Sequence, residues 1–221
     1  MRLRSMTWLT RFGLTLALSS TFAFDANADD TERSAGWKTA TSITAVAGVA
    51  TTALMPRIFT ADPETTAGWK ARWHVSVLAP TLMNVSLTML NEYAMKDTIE
   101  GHRPGCDETN QGQGSCQDYG SLSSHAFLSF AALGQGTATF LTDTLKWSNG
   151  QFNVGSLIGN VAFPLVFAGL TSAGRAAGNW ESTGTVVLSS GAGLVTGALT
   201  GLTYALMQRP ECGYTGSLIC W

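Results

Sequence analysis

Five long, mostly apolar runs place the strongest constraint on the fold of this chain. Each has roughly the length of a helix that crosses a bilayer, which needs about 20 residues. Charged residues make up 13% of the chain and hydrophobic residues 45%, whereas a soluble domain carries about 25% charged residues. The sequence therefore predicts an all-α bundle of about five mostly membrane-spanning helices. A soluble, exported helical bundle is the open alternative. The runs cover residues 39–55, 75–95, 126–141, 154–170 and 185–207.

The last run carries a stripe of small residues. Ser189, Gly193, Gly197 and Gly201 recur at every fourth position, so they share one face of a helix. Small residues let two helix backbones approach closely, which is how many helices associate inside a bilayer. The stripe predicts tight packing of this helix against another one.

The first 28 residues have the pattern of an export signal. A positively charged start is followed by an apolar segment at residues 12–24 and by Ala26-Asn27-Ala28, a small-residue cleavage site. We predict a signal peptide at residues 1–28 and a single helical domain at residues 29–221. The open alternative is an uncleaved N-terminal anchor, which would add a sixth helix to the bundle.

Four cysteines form two local pairs, Cys106 with Cys116 and Cys212 with Cys220. Neither pair has the CxxC spacing of a zinc site or a redox dithiol, so both are predicted to be disulfides in an oxidising compartment. Alternating crossings place the first pair in the periplasm and the second pair in the cytoplasm. For the second pair, either the cysteines stay reduced, or the last helix does not cross, or the protein lies outside the membrane. We predict a bacterial-type inner membrane location with the periplasmic side carrying the functional site. The alternative is a soluble periplasmic or secreted protein.

Most of the concentrated chemistry lies in the polar segment that joins the second and third runs. Lys96 and Arg103 supply two fixed cations, Ser123 and Ser124 two hydroxyls, and His125 a titratable imidazole. The guanidinium of arginine donates two hydrogen bonds to phosphate oxygens, and lysine adds a point charge. Serine hydroxyls and the N–H groups at a helix start donate to the remaining phosphate oxygens. The combination predicts a phosphate-binding site. In the competing interpretation, the cations anchor helix ends at the bilayer interface and the serines are ordinary N-caps.

The spacing of these residues resembles the signature motifs of the type 2 phosphatidic acid phosphatase and vanadium haloperoxidase superfamily. Lys96, six residues and Arg103-Pro104 match the first motif, and Ser123-Ser124-His125 stands where the second motif reads Ser-Gly-His. Gly174-Arg175 stands where the third motif reads Ser-Arg. The resemblance spans residues 96 to about 188 and implies a divergent member with the helical fold of that superfamily.

The resemblance assigns a role to each matching position. His125 would be the general acid that protonates the leaving alcohol. The family's nucleophile is a third-motif His oriented by an Asp, and this chain has Glu181 and Thr185 at those positions. No His follows His125, so the third motif cannot supply that nucleophile. The phosphate-binding set would be Lys96, Arg103, Ser123, Ser124 and Arg175.

Glu181 changes the balance of charge in the predicted pocket. Its carboxylate could pair with Arg175, Arg103 or Lys96 and compete with phosphate for the pocket. We expect such an ion pair, because three cations without the family's His need a partner. A carboxylate can also attack phosphorus, although a neighbouring anion would repel it. Glu92 lies four positions before Lys96, the favourable order for a helix ion pair that positions this lysine.

These observations leave two functions open. The favoured one is a membrane protein that binds a phosphorylated lipid or a small phosphomonoester without turnover. The alternative is an active phosphomonoesterase that acts on a lipid or isoprenoid phosphate with a substitute nucleophile, Glu181 or His102. A purely structural membrane bundle is the third interpretation. No cofactor or metal is expected, and the net charge of −2 gives no basis for binding nucleic acid.

Overall fold

Five helices account for most of the residues that the computed structural model describes. The described residues are 35–60, 69–72, 75–98, 103–106, 109, 116 and 122–207. The predicted signal segment and the pair Cys212 and Cys220 lie outside them. The prediction of a mostly helical chain with five helices is confirmed for the described part.

The helices alternate in direction along the chain. α1 is Ala35–Leu54. α2 is Val75–Leu90, continued by a π-helical turn at Asn91–Met95 and a last turn at Lys96–Thr98. α3 is Ser124–Thr142, extended by a π-helical turn at Asp143–Trp147. α4 begins with Val154–Leu157, continues through a π-helical turn at Ile158–Ala162, and ends with the α-helical segment Phe163–Ala177. α5 is Thr183–Met207.

α3 is the central helix, and it packs most closely against α5 through the predicted small-residue stripe. A Cβ atom at Gly193, Gly197 or Gly201 would overlap the backbone of α3. Ser189 continues the stripe, and its hydroxyl accepts a 2.8 Å hydrogen bond from the backbone N–H of Ser123. The stripe therefore brings the two backbones into direct contact, as the sequence predicts.

α4 continues past the predicted end of the fourth run. The sequence assigns residues 172–184 to a polar connection, but the helix extends to Ala177. The end of α4 packs against α1. A Cβ atom at Gly174 would lie 2.5 Å from Cγ2 of Thr41 and 2.7 Å from Cε3 of Trp37. Tertiary packing of this face outweighs the polar composition of the segment. As a result, Arg175 projects from a helix rather than from a loop.

An antiparallel hairpin between α1 and α2 was not predicted. β1 is Arg57–Thr60 and β2 is Trp69–Arg72, with Arg57 opposite Arg72 and Thr60 opposite Trp69. Strands of four residues are too short for a clear alternation of apolar and polar positions. The hairpin caps the end of the bundle where α1 and α3 terminate.

A buried ion pair fixes that end of the bundle. Arg57 donates to Asp143, with 3.0 Å between Nε and Oδ1, and both side chains are buried. Arg57 Nη2 and Trp147 Nε1 also donate to the carbonyl of Ala205, at 3.4 and 3.2 Å. Carbonyls in the last turn of a helix have no partner within the helix, so these side chains satisfy the end of α5.

The interior of the bundle contains an apolar cluster of Leu133, Phe140, Val161 and Ala168 and a polar network around Gln135, while its outer faces carry large apolar side chains. Gln135 on α3 donates to Thr81 and to the carbonyl of Val77, at 2.7 and 2.9 Å, and accepts from Asn84 at 3.1 Å. Large apolar side chains are exposed on α1, α2, α4 and α5. Two helices, Val154–Ala177 and Thr183–Met207, are long and apolar enough to cross a membrane.

Candidate functional site

Residues that are distant in the sequence meet at the end of the bundle where α3 and α5 begin and α2 and α4 end. Lys96 comes from the last turn of α2, Ser123 and Ser124 from the start of α3, and Arg175 from the last turn of α4. Glu181 lies in the connection from α4 to α5. The three charged side chains are buried, since Lys96 is 5%, Arg175 3% and Glu181 4% exposed.

Glu92 holds Lys96 and Ser124 together. Its Oε2 atom lies 2.6 Å from Nζ of Lys96 and accepts a 2.6 Å hydrogen bond from the hydroxyl of Ser124. That hydroxyl in turn accepts from Nδ2 of Asn91 at 2.7 Å. The ion pair predicted from the spacing of Glu92 and Lys96 is therefore present, and it reaches across to α3.

Glu181 pairs with Arg175, as its charge predicts. The distance between Nη2 of Arg175 and Oε1 of Glu181 is 2.7 Å. Burial would raise the pKa of Glu181, but the hydrogen bond and charge of Arg175 hold this pKa below its usual value, and the Ser123 hydroxyl and Lys96 act in the same direction. Glu181 is therefore ionised at neutral pH. The Nε atom of Arg175 is buried and makes no hydrogen bond within the described part of the chain.

Ser123 is both an N-cap and a member of the cluster. Its hydroxyl accepts a 3.2 Å hydrogen bond from the N–H of Ala126, which makes it the N-cap of α3. The first N–H groups of a helix have no partner within the helix and carry partial positive charge. The start of α3 therefore presents donors that suit an anion, at the same place as Lys96 and Arg175.

His125 is neutral in this arrangement. It lies at the start of α3, outside the apolar run, and its Nε2 atom is 3.0 Å from Oγ of Ser42 on α1. Burial lowers its pKa from 6.5 to about 4, and the charge of Arg175 acts in the same direction, against the opposite effects of Glu181 and Glu92. A neutral imidazole accepts a proton more readily than it donates one. Its predicted role as a general acid would require a bound phosphate to raise this pKa again.

The lowered pKa predicts a loss of stability in acid. Because the unfolded chain protonates His125 below about pH 6.5 and the folded chain does so only near pH 4, the contribution of His125 to the free energy of unfolding falls between these values and is constant below them. The expected loss from this residue is about 3 kcal/mol. Denaturation in detergent solution at a series of pH values measures it. His125→Gln cannot take up a proton, so its stability should fall less over this interval, and equal losses in the two proteins would refute the prediction.

Arg103 lies in a tight turn of the connection between α2 and α3. Cys106 N–H donates to the carbonyl of Arg103 at 2.9 Å, and Gly105 adopts a φ of 72°, which an L side chain rarely adopts. The predicted disulfide between Cys106 and Cys116 is present. Arg103 is 8% exposed, and because four residues separate it from α2, it lies at the same end of the bundle as Lys96.

Thr185, the last position that the resemblance assigns to the third motif, lies in the first turn of α5. Thr185 donates from its N–H to Ser182 Oγ at 3.2 Å, and the two hydroxyl oxygens are 2.8 Å apart. Ser182 therefore caps α5 by accepting from Thr185, the residue that the resemblance sets at the position of the family's orienting Asp. Ser42 was missed by sequence reasoning, because a serine in the small-residue run of α1 gives no signal that distinguishes it from a packing residue.

The cluster is nearly balanced in charge. Lys96 and Arg175 are each paired with a carboxylate, Glu92 and Glu181 respectively, and His125 is neutral. An anion could therefore reach either cation only by displacing its carboxylate or sharing the cation with it. Comparisons of the chain with protein-family models, curated proteins and solved structures found no match.

Proposed function

We propose that the chain is a membrane protein that resembles the type 2 phosphatidic acid phosphatases and binds the phosphate group of a phosphorylated lipid or small phosphomonoester. The observation that supports this most directly is the meeting of three sequence segments at one mostly buried cluster. Two cations, serine hydroxyls and the start of a helix are the groups that recognise phosphate in proteins. The cluster consists of Lys96, Ser123, Ser124, His125 and Arg175.

The distribution of polarity supports a bilayer environment. Hydrogen-bonded polar side chains lie in the interior, and large apolar side chains face outward on four helices. Apolar side chains exposed in this number suit contact with lipid tails better than contact with water. The disulfide between Cys106 and Cys116, in the connection beside the cluster, suits an oxidising compartment. We place the cluster on the periplasmic side of an inner membrane.

Glu181 supports binding without the family's hydrolysis. It stands at the position of the nucleophilic His, but its carboxylate is held by Arg175 at 2.7 Å. Thr185 engages Ser182 and α5 rather than orienting a nucleophile. A phosphate would take the place of the carboxylate on Arg175, where the buried Nε atom offers a further donor. Hydrolysis with a substitute nucleophile is the second candidate function, and the contact between His125 and Ser42 favours it.

Binding of vanadate and inorganic phosphate to the purified protein tests this proposal. The wild type is expected to bind both in calorimetric titrations. Arg175→Gln should weaken binding by about tenfold or more, because a charge-assisted hydrogen bond to phosphate contributes about 1.5–3 kcal/mol. Lys146→Gln is the matched control, since it removes an exposed cation near the opposite end of the bundle. A wild type that binds neither anion would overturn the proposal and favour a structural bundle.

A further inference from the structure

We propose that Ser42 is a nucleophile and that it accepts the phosphoryl group of the bound phosphomonoester, with His125 as its base. The inference rests on the phosphate site proposed above and supplies the substitute for the missing third-motif His. Serine attacks phosphorus only when a neighbouring group removes its proton. The contact of 3.0 Å between Oγ of Ser42 and Nε2 of His125 provides that group.

The hydroxyl of Ser42 has two acceptors at the same distance when the imidazole of His125 carries its proton on Nδ1. Its Oγ atom lies 3.0 Å from the carbonyl of Lys38, one turn earlier in α1, and 3.0 Å from Nε2 of His125. Rotation about one bond moves the proton from the carbonyl to the imidazole without any other change. Ser42 is partly exposed, so the attacking oxygen remains accessible to a substrate.

The surroundings of this pair place it beside the phosphate site. The charges of Arg175, Glu181, Glu92 and Lys96 all act on His125. It is therefore within the cluster that binds the anion, and Ser42 lies at its edge. Because the imidazole is neutral, its ring nitrogen can accept the hydroxyl proton, and the negative charge of a bound phosphate beside it would raise its lowered pKa and favour that transfer.

The transfer is balanced in atoms and protons. The Oγ atom of Ser42 forms a bond to phosphorus while the bond from phosphorus to the leaving alkoxide oxygen breaks, and the hydroxyl proton passes to Nε2 of His125. The leaving alkoxide takes a proton from water, and His125 returns its proton to solvent. In-line displacement puts the leaving oxygen opposite Ser42, so His125 serves here as the base for attack. The product is phosphoserine and the free alcohol.

A burst experiment with p-nitrophenyl phosphate tests the proposal. The wild type should release about one equivalent of p-nitrophenol per chain in the first phase and carry an acid-stable phosphate on Ser42, located by peptide mass spectrometry. Ser42→Ala should give no phosphoserine at this position and no burst. His125→Gln should slow the burst by about 100-fold or more, the usual contribution of a general base.

Ser86→Ala is the matched control. Ser86 is a helical serine that donates to the carbonyl four residues earlier, at 2.9 Å from Leu82, on the exposed face of α2, and its loss should leave the burst unchanged. Acid-labile phosphohistidine or hydroxylamine-labile phosphate on Glu181 would overturn the role of Ser42. A wild type that binds vanadate but acquires no phosphoserine would also overturn it while leaving the phosphate site intact. A wild type that neither binds nor reacts would refute both proposals.

Discussion

Gly197→Ala is expected to destabilise the bundle by about 3 kcal/mol or more, although alanine is the better helix former. An added Cβ atom would overlap the carbonyl oxygen of Ala131 and lie 2.6 Å from its carbonyl carbon and 2.7 Å from its Cα atom. All three atoms belong to the backbone of α3, so no side chain can rotate away. The two helices must separate along the stripe, which also disturbs the contact between Ser189 and Ser123 at the proposed phosphate site. Thermal unfolding in detergent, followed by circular dichroism, measures the loss.

Gly191→Ala is the matched control on the same helix. No atom lies within 4 Å of a Cβ atom at that position, so the substitution should be neutral or stabilise the protein by up to about 1 kcal/mol. Equal unfolding temperatures for the two variants would show that α3 and α5 do not pack along the stripe.

The parts of the fold that depend on local composition and spacing could be predicted from the sequence. The apolar runs gave five helices, and the spacing of Gly193, Gly197 and Gly201 gave the packed face of α5. The extension of α4 through Arg175 was not predictable, because it depends on the packing of Gly174 against Trp37 and Thr41. The hairpin was missed because its register is set by main-chain pairing of two four-residue strands of mixed polarity, which leaves little trace in the side-chain pattern.

In the candidate site, the ion pairs between residues close in the sequence could be predicted from charge and spacing. The pair of Glu92 and Lys96 follows from their separation of four on one helix, and the pair of Arg175 and Glu181 follows from the need to neutralise a buried charge. The contact of His125 with Ser42 joins residues that are 83 positions apart. Such a contact depends on how α1 lies against α3, and no local pattern in either segment encodes it.

Glu181→Gln is expected to cost about 3–5 kcal/mol of stability in the absence of an anion, because it leaves the buried guanidinium of Arg175 without its carboxylate. The same change removes the group that competes with phosphate for Arg175, since Glu181 is ionised at neutral pH. Vanadate or phosphate should therefore bind the variant about tenfold more tightly than it binds the wild type. Because a ligand that binds only the folded chain stabilises it, saturating vanadate should raise the unfolding temperature of the variant more than that of the wild type.

Asp143→Asn separates this competition from a general loss of stability. It breaks the other buried ion pair, with Arg57, and should destabilise the chain by a similar amount. Asp143 lies 18 positions beyond His125 along α3, about 27 Å away at 1.5 Å per residue, so vanadate cannot replace its carboxylate at the phosphate site. The vanadate-induced shift of this variant should match that of the wild type. If Glu181→Gln shows no larger shift than Asp143→Asn, Glu181 does not compete with the anion, and its pairing with Arg175 serves stability alone.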